Sequence, residues 1–125
     1  MKKNKIMASQ TLNDRINKYA EKLHYEKRGH SFVSGAEYYK YKKVAHSGDI
    51  EKKDFVKSLK IKLQKFGKIG DKFNKSSIGF CAETVSANRV LKKYPKNLPD
   101  IKVGIAVRPK TLQTAKKCKI CKTLF

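Results

Sequence analysis

Ile78-Gly79-Phe80-Cys81-Ala82-Glu83-Thr84-Val85-Ser86-Ala87-Asn88-Arg89-Val90-Leu91 is the stretch from which the rest of the chain is best read. Its periodicity predicts a helix that starts near Cys81 and runs to about Tyr94. On that helix Glu83 shares a face with Ala87, Val90, Leu91 and Tyr94, a stripe suited to a core. A carboxylate at the head of such a stripe is costly unless it has a task or a partner. The plainer alternative is a solvated first-turn carboxylate that complements the helix dipole. Cys81 stands at the helix start, where the positive end favours the thiolate, the metal-binding form of cysteine. A cap residue is not held to helical geometry, so the wheel does not place Cys81 itself. Asn88 either contacts a substrate or satisfies a backbone group from mid-helix.

Two further cysteines, Cys118 and Cys121, stand three apart near the end of the sequence. In the first turn of a helix that spacing brings both sulfurs to one side. Cys81, Cys118 and Cys121 can then supply three thiolates to one Zn2+, leaving the fourth tetrahedral position for water, as in catalytic sites. A structural site needs a fourth ligand, for which His24, His30 or His46 is available in composition but not in finger-like spacing. A redox role for the C-x-x-C fits less well, because no thioredoxin-type strand-to-helix pattern precedes it. Three cysteines also make an odd set for a disulfide framework.

Outward from these motifs, the chain reads as one α/β domain. Its 125 residues and 14.3 kDa suit a single modest core. Residues 1–10 are polar and basic and read as a flexible N-terminus, with the domain over residues 11–125. Leu12, Ile16, Tyr19, Ala20 and Leu23 predict a helix from Thr11 to about Tyr25, capped by Thr11 or Asn13. Gly29, Ser31, Ser34 and Gly35 punctuate residues 29–48, where one or two short strands are expected. Ser31 and Ser34 read as turn residues. Ser47-Gly48-Asp49 is a turn and a candidate helix start. Phe55, Val56, Leu59, Leu63 and Phe66 follow a helical period, with a strand competing through Leu59, Ile61 and Leu63. Gly67 and Gly70 close that segment. Pro95 and Pro99 flank a turn, after which Ile101, Val103, Ile105 and Val107 alternate as a half-buried strand that ends at Pro109. The expected architecture is a short mixed β-sheet with helices packed on it.

Charge sets the class of partner. Lys and Arg number 31 against 10 Asp and Glu, a net charge of +21. Such an imbalance in a small domain points to a polyanion, with nucleic acid first and an anionic membrane a distant second, and the plainer alternative is a solvated cationic surface. Tyr38, Tyr39 and Tyr41 interleave with Lys40, Lys42 and Lys43 as a stacking-and-phosphate strip would, and equally as a lysine-protected edge strand would. No apolar run is long enough to span a membrane. The basic start, Met1-Lys2-Lys3-Asn4-Lys5, lacks the apolar region of a Sec-type signal peptide.

Gly79-Phe80-Cys81-Ala82-Glu83, then Ala87-Asn88, a strand, and Cys118-Lys119-Ile120-Cys121 together resemble the cytidine-deaminase superfamily. Within it they resemble most the YwqJ-like bacterial toxin deaminases, which read C-A-E where other branches read H-A-E. The resemblance spans about residues 76–125. Lys117 stands where the family usually has proline. The resemblance implies a cytidine-deaminase-like fold and zinc on Cys81, Cys118 and Cys121, with Glu83 as the proton shuttle. The implied reaction is hydrolytic deamination of cytosine in nucleic acid, at a C–N bond of a cyclic amidine, with DNA favoured over RNA. It further implies a toxin effector domain, delivered into the cytoplasm of a target cell and countered by an acidic immunity protein. The competing expectations are an RNA-directed cytidine or adenosine deaminase, and a noncatalytic zinc-stabilised nucleic-acid-binding module.

Overall fold

The computed structural model describes residues 9–27, 32–73, 76–115 and 119–125. Helix α1 (Gln10–Tyr25) forms where the apolar period places it, and Leu12, Ile16, Ala20 and Leu23 are fully buried. Its cap, however, is Ser9, whose Oγ accepts from the Leu12 N–H at 3.1 Å. Thr11 and Asn13 lie inside the helix. Asn13 is occupied elsewhere, accepting from the Ile105 N–H at 3.1 Å. The expected flexible N-terminus therefore gives way to helix by Gln10, and residues 1–8 lie outside the described residues.

Strands β1 (Val33–Tyr38) and β2 (Tyr41–His46) form an antiparallel hairpin with Tyr38 opposite Tyr41. Ser34 and Gly35 are strand residues, not turn residues. Ser34 is buried and donates from Oγ to the Ile105 carbonyl at 2.9 Å. Gly35 sits directly under α1, where a Cβ would stand 2.9 Å from Leu12 Cδ1 and 3.0 Å from Ile16 Cγ1. The glycine admits the helix against the strand. Gly29, His30 and Ser31 lie outside the described residues.

The turn at 47–49 does not start a helix. A 3-10 turn (Lys52–Asp54) intervenes, and α2 runs over Lys57–Gln64. Leu59 and Leu63 are buried while Ile61 is 52% exposed, which settles helix over strand. The short hairpin of β3 (Lys72–Phe73) and β4 (Ser76–Ser77) then leads into α3 (Ala82–Lys93).

The alternating segment after Pro99 divides into β5 (Lys102–Val103) and β6 (Ala106–Val107), both beside β1. Val103 faces Ala36 but Val107 faces Val33, one more residue on the partner side than on β1. The interruption is a bulge. Asn13 and Ser34 serve the N–H and carbonyl of Ile105, which the broken ladder would leave unpaired. β7 (Thr114–Ala115) pairs with β6, and α4 (Lys119–Leu124) follows.

Every described pairing is antiparallel, which corrects the expected mixed sheet. The cause is topological. The chain leaves β2, passes through α2 and α3, and returns as β5 on the far side of β1. β5 thus runs in the same direction as β2, but β1 lies between them. The general α/β class stands, with helices on both faces. α1 packs with Val33 and Val107 on one face. The other face joins Leu59 and Leu63 of α2, Val90 and Leu91 of α3, and Ile120 of α4 in one core with Ala36.

Candidate functional site

The approach to α3 is fixed by small residues and backbone bonds. Gly79 has φ +90, and a Cβ there would lie 2.9 Å from Phe55 Cζ. Only glycine suits both the conformation and the space. The Phe80 N–H donates to Ser77 O at 3.1 Å, and the Phe80 carbonyl accepts from the Gly48 N–H at 2.9 Å. Cys81 is therefore delivered to the helix start by a loop tied down on two sides. It is the N-cap, extended at φ −65 and ψ 145, with its carbonyl accepting from the Val85 N–H at 2.9 Å. It is half-buried.

The first seven residues of α3 are buried all round, polar ones included. Glu83 is 4% exposed, so the solvated first-turn alternative does not hold. Ser86 Oγ donates to the Glu83 carbonyl at 3.0 Å. Thr84 Oγ1 lies 3.4 Å from Cys121 Sγ, with both side chains buried. That contact brings α4 against the first turn of α3. Cys121 is held there because its neighbour Ile120 is buried in the core, and its carbonyl accepts from the Phe125 N–H at 2.9 Å.

Three sequence-predicted residues, Cys81, Glu83 and Cys121, thus come to one end of α3. Among the described residues no three His, Cys, Asp or Glu side chains group to hold a metal ion, and Cys118 lies outside those residues. The donors are cysteine sulfurs, one from the start of α3 and one from α4, a ligand type that suits a soft or borderline divalent ion. Thr84 went unread in the sequence. Its only signal was its place one turn after Cys81, and the packing of α4 against that turn is a tertiary fact.

The remaining predicted residues divide differently. Asn88 is 1% exposed and serves the backbone: Oδ1 accepts from the Val56 N–H at 2.8 Å and Nδ2 donates to the Asp54 carbonyl at 2.9 Å. It holds the loop before α2, with both ends of its amide engaged by backbone. The strip of Tyr38, Tyr39, Lys40, Tyr41, Lys42 and Lys43 is not one strand, because Tyr39 (φ 52) and Lys40 form the hairpin turn. Lys42 turns to the α1 face and pairs with the buried Glu37 at 3.6 Å. Glu37 also accepts from the N–H and Oγ of Ser9, at 2.7 and 2.8 Å. Tyr38 packs on Tyr94 at 4.8 Å, and Tyr41 lies beneath Lys93 at 4.6 Å. Partial burial, then the neighbouring Tyr39, Asp100 and Tyr94, push the Tyr38 phenol above its ordinary pKa. Of the three tyrosines, Tyr39 alone is largely open, at 82% exposure.

His24 Nδ1 lies 2.8 Å from the Pro109 carbonyl. His46 joins Asp49, which also pairs with Arg89, whose Nη1 donates to the Val44 carbonyl on β2. A cavity of about 440 Å³ lies elsewhere, lined by Tyr38, Tyr39, Asp100, Lys102 and Phe125. Its Tyr38 packs on Tyr94 at the C-terminal end of α3, and its Phe125 donates through the N–H to the Cys121 carbonyl. Among the described residues no helix is long and apolar enough to cross a membrane. No family model matches the chain, and no curated protein or solved structure matches it.

Proposed function

We propose that this protein is a zinc-dependent hydrolytic deaminase that converts cytosine in nucleic acid to uracil. The observation that carries the reading is the 3.4 Å contact of Cys121 with Thr84 in the first turn of α3, beside the N-cap Cys81 and the buried Glu83. With Cys118, three residues before Cys121 in the sequence, the three thiols would be the donor set for the ion. Zinc, when bound, acts as a Lewis acid that makes water a competent nucleophile near neutral pH.

The chain's own residues supply the rest. Cys81 and Cys121 present sulfur from two separate helices, so the core that packs α4 on α3 also sets the spacing of the donors. Glu83 is two residues beyond Cys81 on a rigid, buried helix. Its carboxylate takes a proton from the attacking water, delivers it to the ring nitrogen, and assists departure of the amine as ammonia. Water is consumed and ammonia released, so the reaction needs no redox partner. The charge of +21 supports a polyanionic substrate. The likeness to toxin deaminases supports an effector role, with an acidic immunity protein as its natural counterpart.

The test is to expose single-stranded DNA, duplex DNA and RNA to the purified, zinc-supplemented protein and sequence the products. Cytosine-to-uracil conversion is expected, strongest in DNA. Adenosine conversion would move the assignment to an adenosine deaminase. No conversion of any base in any substrate would favour a noncatalytic binding module.

A further inference from the structure

We infer that the exposed face of α2, carrying Lys57, Lys60, Lys62 and Lys65, is the surface that tracks the phosphate backbone, in place of the Tyr38–Lys43 strip. All four lysines are exposed, and among the described residues none is ion-paired. The helix directs Leu59 and Leu63 into the core, so Ile61 marks the outward direction and the lysines surround it. Lys57 and Lys65 stand about 12 Å apart along the axis, a length over which a strand presents several phosphates. The strip is poorer. Lys42 is spent on Glu37, and the Tyr41 ring is covered by Lys93.

Position links this face to the candidate site. Phe55, two residues before Lys57, packs against Phe80 at 6.2 Å, immediately before Cys81. Asn88 of α3 holds the Val56 N–H at the start of α2. Ser58 Oγ donates to the Pro95 carbonyl at 3.2 Å, past the end of α3, whereas Gly67, beyond the other end of α2, lies against Ile78, so a strand running from Lys57 toward Lys65 would be led toward the α3 N-terminus. An anionic membrane fits worse, because the apolar side of α2 is already buried and Ile61 alone faces outward.

The inference rests on the nucleic-acid reading but not on catalysis. Its test compares the full-length protein with the variant Lys57→Gln, Lys60→Gln, Lys62→Gln, Lys65→Gln and with Lys40→Gln, Lys43→Gln. A labelled, mixed-sequence single-stranded DNA oligonucleotide is titrated between about 50 and 200 mM salt. Each engaged lysine contributes about 0.7 to the slope of log K against log salt on a single strand, so the α2 variant should lose about 3. The hairpin variant should lose about 1 or less, and arginine at all four α2 positions should restore the slope. An α2 variant that keeps the parent slope would overturn the inference, as would one that loses only its binding to phosphatidylserine vesicles. Base conversion by the unmodified protein is scored separately. A flattened slope without conversion retires the deaminase and leaves this surface standing.

Discussion

Asn88→Ala tests how α3 positions the loop before α2. The substitution removes the acceptor of the Val56 N–H, at 2.8 Å, and the donor to the Asp54 carbonyl, at 2.9 Å. Each buried group left unpaired costs about 1–3 kcal/mol. Asp54 and Val56 are only half-buried, so the lower part of that range applies, and the pair together should cost about 2–4 kcal/mol. A domain of this size shifts in Tm by about 4 °C per kcal/mol, so calorimetry should record a fall of about 8–15 °C. Asn88→Asp keeps the acceptor but sets an oxygen against the Asp54 carbonyl, and should also destabilise. Amide exchange at Val56 should quicken in Asn88→Ala, because its protecting bond is lost. A residue that served only a substrate would leave Tm and exchange unmoved while lowering turnover. An Asn88→Ala protein melting within about 2 °C of the parent would refute the assignment of Asn88 to the backbone.

The other expectations rest on separate contacts. Gly104→Ala places a Cβ 2.5 Å from Ile16 Cδ1 and 2.7 Å from Asn13 Oδ1, and should destabilise by about 1–3 kcal/mol in denaturant titration. Lys42→Ala leaves the buried Glu37 without its cation and should cost about 1–3 kcal/mol, whereas Lys43→Ala should stay within about 0.5 kcal/mol. Cys121→Ser should lower metal content by atomic absorption from about one zinc per chain to a small fraction of that, and destabilise the holoprotein.

Much of this fold was legible because its signals are local. The period of Leu12, Ile16, Ala20 and Leu23 is set by one buried face, and α1 formed where it was expected. The head of α3 was legible for the same reason, since Glu83 stood out against Ala87, Val90 and Leu91. What went unread depends on partners distant in sequence. Ser34 and Gly35 look like turn residues, but β1 is buried on both faces and uses one to serve Ile105 and the other to admit α1. Ser9 is the cap, and Asn13 instead serves the bulge at Ile105. Lys42 looked free for a phosphate until the hairpin register set it beside Glu37. The lysines of α2 seemed unremarkable until Leu59 and Leu63 fixed the direction of that helix.

The most direct measurement of the central claim compares the unmodified protein with Glu83→Gln, each zinc-loaded, by sequencing the DNA and RNA to which it has been exposed. The substitution keeps the size and burial of the side chain while removing its capacity to carry a proton. Zinc content and salt-dependent binding should be unchanged, because Glu83 is neither a proposed ligand nor on the α2 surface. Cytosine-to-uracil conversion should fall by at least about 10²–10⁴-fold, the usual worth of general acid–base catalysis. Equal conversion by the two proteins, with zinc and fold intact in both, would contradict the account.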